Sequence, residues 1–148
     1  MTLQSFHDYR DRMLSIMDEA ETKLGHAAPA DTLMLDLARN RMARILTAYH
    51  LFADRELFGP AAARDPAGRP RIRAVAAECA ALAQDFRAFA RDCTIHPVIE
   101  RWASYRLDAQ AMMARIRRHL AAAEAETGTG GGGGGGEQLP PPGYRTAA

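Results

Sequence analysis

The sequence predicts an all-α fold, an up-down-up-down antiparallel four-helix bundle with a disordered C-terminal tail, and three observations carry that prediction. Apolar residues recur at steps of three and four along four segments of about 22 to 30 residues each. Gly25, Gly59 with Pro60, and Pro97 punctuate those segments. Alanine is abundant and β-branched residues are sparse, so no strand pattern competes. With 148 residues and 47% hydrophobic content the chain can bury a sizeable core as one domain. The bundle is expected over residues 1–126 and the tail over 127–148.

The first helix is expected from Leu3 to Leu24, with Leu3, Phe6, Met13, Leu14, Met17 and Leu24 apolar, Thr2 or Ser5 as cap, and Gly25 just past its end. The second begins after Pro29 at Asp31, a good N-cap, and runs through Leu35, Met42, Ile45 and Tyr49 to Phe58, where Gly59 and Pro60 should stop it. The following GPAAARDPAGRP contains three prolines and two glycines and reads as a loop inside one domain. The third helix, Arg71 to Cys93, has the cleanest period: Ile72, Val75, Cys79, Leu82, Phe86, Phe89 and Cys93 form one stripe. Pro97 suits the first turn of the fourth helix, whose stripe is Trp102, Tyr105, Ala109, Met112, Ile116, His119 and Ala123. The glycine tract and proline-rich end that follow bury too little to fold.

Composition removes several function classes. A net charge of +1 gives no field for gathering nucleic acid or anionic lipid. No apolar run approaches the roughly 18 residues that a membrane span needs, and MTLQSFHDYRDR meets charge too early for a signal peptide, so a cytoplasmic location is expected. Cys79 and Cys93 lie about 20 Å apart on one helix, at roughly 1.5 Å per residue, and cannot bridge each other. No nucleophile with an adjacent base, no phosphate-binding glycine loop and no Glu-x-x-His pair marks an enzyme.

The chemistry concentrates in LTAYHLFADRELF, residues 46–58, where His50 and Asp54 leave one helical face a turn apart on an apolar stripe. Antiparallel packing brings the start of the first helix, the end of the second, the start of the third and the end of the fourth to one end of the bundle. His7, His50, Cys79 and His119 are therefore expected at similar depth there. His26 and His96 fall at the opposite end, in or beside loops. Singly, a buried cysteine or histidine is an ordinary core residue; the convergence is what points to a site.

A His early in the first helix, a His-x-x-x-carboxylate pair late in the second, and a His followed by a carboxylate near the end of the fourth resemble the hemerythrin family and its HHE cation-binding domains, from about His7 to Glu124. HLFADRELFGP is similar to the family's second-helix ending. The resemblance implies non-haem iron, with His7, His50 and His119 as terminal ligands and Asp54 and Glu124 as bridging carboxylates. Hemerythrins also place histidines on the third helix. Here the matching position is Cys79, preceded by Glu78, and Asp54 is shorter than the usual glutamate. A mononuclear or unevenly occupied site is expected, with Cys79 joining if its thiol deprotonates. Iron of this kind takes oxygen or nitric oxide, as a carrier, sensor or iron buffer.

The alternative function is a metal-free helical-bundle protein-interaction module, monomeric or homodimeric. Arg71, Arg73, Arg115, Arg117 and Arg118 could dock an acidic partner. Pro141, Pro142, Gly143 and Tyr144 form a PPxY arrangement suited to an aromatic-lined groove.

Overall fold

A computed structural model of the chain describes residues 5–128; Thr2, Leu3 and residues 129–148 with the PPxY arrangement lie outside them. Four long helices, α1 (Phe6–Leu24), α2 (Thr32–Ala53), α4 (Arg69–Ile95) and α5 (Trp102–Thr127), and one short helix, α3 (Gly59–Arg64), build an all-α four-helix bundle with no strand among the described residues. Helix α1 packs on α2 and α5, and α4 on the same two, which closes the bundle. Arg10 Nη1 reaches Glu124 Oε2 at 2.8 Å and Arg106 Nε reaches the Leu24 carbonyl at 2.7 Å, so α1 and α5 run antiparallel along their whole length.

Local chemistry sets most of the boundaries. The Ser5 hydroxyl accepts from the Asp8 N–H at 3.1 Å and caps α1. Asp31 caps α2 through the Met34 N–H from a left-handed backbone, φ 51°, a conformation that Asp tolerates better than most residues. Glycine ends α5 for a physical reason, because Gly128 sits at φ 76°, where a Cβ would be strained. Gly128→Ala should cost about 1 kcal/mol of end stability. Faster amide exchange over Glu124–Thr127 is the expected readout, and unchanged exchange there would refute it.

Three expectations are corrected. Gly59 and Pro60 do not stop the second helix. Asp54–Phe58 widen into one π turn, and the Gly59 N–H bonds the Asp54 carbonyl, after which α3 continues with Pro60 in its first turn. Proline brings no N–H and its ring collides with the carbonyl four residues back in a regular helix; a widened turn accommodates both. The 59–64 part of the expected loop is therefore helical, and it sends Ala61 into the core. Pro97 is extended, with ψ 134°, and precedes a 3-10 turn, Val98–Arg101, so α5 starts at Trp102. The buried methionine of α5 is Met113, with Met112 only half-buried against the core.

The core runs the length of the bundle, from Phe6 and Tyr49 at one end to Leu35, Phe86 and Trp102 at the other. Trp102 Nε1–H donates to the His26 carbonyl at 3.0 Å, and with Arg106 it satisfies carbonyls at the C-terminal end of α1. No helix among the described residues is long and apolar enough to cross a membrane.

Candidate metal centre

His119 is the most constrained of the candidate ligands. It lies on the buried face of α5 with 3% of its surface exposed. Its Nε2 shares a 3.0 Å hydrogen bond with the Tyr49 hydroxyl, whose ring meets it edge-on at 5.6 Å, and Phe58 closes the other side at 6.3 Å. Its Nδ1 is buried without a hydrogen-bond partner. Burial pushes the imidazole down to about 4; the Glu78 carboxylate opposes that shift, while Arg115 and His50 reinforce it. At neutral pH the ring is uncharged, the form that can ligate a metal.

His50 and Asp54 pair along α2 into the π turn, with Nε2 3.3 Å from Oδ2. Both are partly open to solvent, at 26% and 54% side-chain exposure. His50 is near enough for its charge to depress His119, and Asp54 near enough to raise the Cys79 thiol. His7 is half-buried, edge-on to Phe6 at 5.8 Å, and Phe6 in turn meets Tyr49. His7, His50, Cys79 and His119 thus stand at one end of the bundle, with His7 joined to His119 through the Phe6 and Tyr49 rings.

Cys79 and Glu124 sit in different surroundings from these histidines. Burial first, then the charges of Asp54 and Glu78, push the Cys79 thiol up to about 12, so with no cation beside it the thiol stays protonated at neutral pH. Glu124 accepts from Arg10 across the α1–α5 seam at 2.8 Å. The regular turn before Gly128 aims it there, as its five-residue offset from His119, about 140° of helix rotation, requires. Among the described residues no group of three or more His, Cys, Asp and Glu side chains stands close enough to hold an ion.

Tyr49 and the Glu78–Arg115 pair complete the surroundings. Arg115 Nε and Nη2 hold both Glu78 oxygens, at 2.8 and 3.2 Å, and Nη1 holds Asp85 at 2.8 Å. These hydrogen bonds keep the Glu78 carboxyl below its ordinary range. Ala74, Val75 and Ala122 line a cleft of about 240 Å³ between α4 and α5, with Glu78, Arg115, Arg118 and His119 beside them. Tyr49 was legible as an apolar-stripe residue; its pairing with His119 is visible only in the packed bundle. Of the arginines that could dock an acidic partner, Arg71, Arg115 and Arg117 are paired internally, with Glu126, with Glu78 and Asp85, and with Glu21 and Asp18.

Among these candidates His119 keeps a buried Nδ1 with no hydrogen-bond partner, while the Glu124 carboxylate is held by Arg10. Compared with protein-family models, curated proteins and solved structures, the chain matches none of them.

Proposed function

We propose that the chain is a hemerythrin-like bundle that binds a single non-haem ferrous ion at the His50–Asp54 end, for carrying or sensing oxygen or nitric oxide or for buffering iron. The observation that carries this reading is His119: buried, uncharged at neutral pH, held through Nε2 by Tyr49, left with an unpartnered Nδ1, and within electrostatic reach of His50. With the proton on Nε2 and the Tyr49 oxygen accepting it, Nδ1 offers a lone pair in a fixed direction. A second partner on the far nitrogen is how ligating histidines are commonly oriented. His50 and Asp54 come from the partly exposed side and can turn toward it, with His7 as the fourth donor. Ferrous iron would supply an open coordination position for a diatomic gas, and Phe6 and Phe58 would shield it from water.

Metal analysis of untagged protein from iron-supplemented cells tests the reading. About one iron per chain is expected, with His50→Ala and His119→Gln each lowering affinity by at least about 100-fold, since each removes a ligand. Two irons per chain, or none under these conditions, would overturn it.

The metal-free interaction module is supported by a different observation. Leu33, Leu37 and Leu51 stand 69%, 53% and 59% exposed along the outer face of α2. Sedimentation at rising concentration, with Leu37→Lys as control, tests whether that face self-associates.

A further inference from the structure

A second cleft lies at the opposite end of the bundle, between the start of α2 and the α4–α5 connection, with a volume of about 400 Å³. Its deepest lining residues are Arg39, Cys93 and Val98, at 7%, 6% and 5% exposure. Thr32, Asn40, Thr94 and Ile99 stand around the mouth.

Arg39 is an unusual residue for the buried face of α2, one turn after Leu35. A guanidinium carries five N–H donors and no acceptor, so its burial demands oxygens. Nη1 donates to the Tyr105 hydroxyl at 3.0 Å and Nη2 to one oxygen of Asp36, while Nε–H is buried with no partner. The guanidinium also lies 5.6 Å from the Tyr105 ring centroid, and Arg101 approaches the same ring at 5.9 Å. Arg101 is itself engaged, by Asp92 at 3.4 Å and by the Cys93 sulfur at 3.4 Å. Arg39 therefore brings an incompletely satisfied charge to the cleft, and the half-exposed Asp36 is its only carboxylate partner among the described residues.

We propose that this cleft binds a small organic carboxylate. The Nε edge of a guanidinium presents two parallel donors that match the two oxygens of a carboxylate, and Asp36 meets that need with one oxygen only. The Thr32 hydroxyl and the Asn40 amide, among the lining residues, can donate to the same carboxylate as it enters. Val98 and Ile99 receive a short aliphatic body. The volume is that of a small-molecule pocket. Because the ligand and Asp36 compete for one guanidinium, Asp36 sets the affinity from within the protein. This site is independent of iron at the other end.

The test is titration of the chelator-treated full chain with butyrate, followed by amide chemical shifts, with inorganic phosphate and chloride at matched ionic strength as separate arms. Butyrate should saturate with an affinity of about 1 mM and shift residues 32–40 and 93–99, leaving His119 unmoved. Asp36→Asn removes the internal competitor and should tighten butyrate about tenfold, and Arg39→Lys should weaken it about tenfold. The Asp36→Asn arm stands even if substitution at Arg39 impairs folding. Equal shifts with phosphate or chloride, no saturable shift in either wild type or Asp36→Asn, or butyrate affinity unchanged by Asp36→Asn would each overturn the proposal.

Discussion

Acidifying the metal-free protein from pH 7 to pH 4 should remove about 3 kcal/mol of folding stability through His119 alone. In the unfolded chain this imidazole titrates near its ordinary 6.5, and in the bundle burial holds it near 4. Between those values the unfolded state binds a proton that the folded state refuses, so stability is fully present above pH 6.5, falls as pH drops, and levels off below about 4. The charged groups around it are Glu78, which favours the proton, and Arg115 and His50, which oppose it. Glu78 is held low by Arg115 and adds a loss in the same direction, but at lower pH, below its ordinary carboxylate value. Urea denaturation at pH 7, 5.5 and 4 should show the slope in the wild type and a flatter one in His119→Gln. Equal slopes in the two proteins would show that His119 titrates normally in the fold and would remove the electrostatic basis of the proposed metal centre.

Replacing Tyr49 by alanine should cost about 4 kcal/mol, the scale of emptying an aromatic site in a packed core. Tyr49 is 1% exposed and packs its ring against Phe6 at 6.2 Å, Tyr9 at 5.8 Å and His119 at 5.6 Å. Tyr49→Phe keeps the ring and deletes the oxygen, leaving both nitrogens of a buried imidazole without a partner. That loss should cost about 1 to 3 kcal/mol. It should also weaken iron binding about tenfold, because nothing then fixes which nitrogen carries the proton. Chemical denaturation with a metal titration on the same samples separates the two effects. A Tyr49→Phe variant as stable as the parent, with unchanged iron affinity, would reduce the Tyr49–His119 hydrogen bond to a bystander.

The sequence by itself determined the four long helices, their antiparallel order and the end of the bundle to which each histidine belongs. Those properties rest on short-range physics, namely apolar spacing, the Ser5 and Asp31 caps, and the punctuation between segments. Only the tertiary structure decided how the helix ends resolve. Pro60 enters a helix because the π turn at Asp54–Phe58 makes room for its ring, a backbone adjustment that no residue preference announces. Pro97 stays outside α5 because Val98 has to reach the core and the Trp102 indole the His26 carbonyl. The fate of each candidate ligand was likewise a question of neighbours distant in the chain. Arg10, 114 positions from Glu124, claims that carboxylate. Tyr49, 70 positions from His119, claims Nε2 and leaves Nδ1 open. Periodicity says which face of a helix is buried; the partner that a buried polar atom finds there depends on which helices close around it.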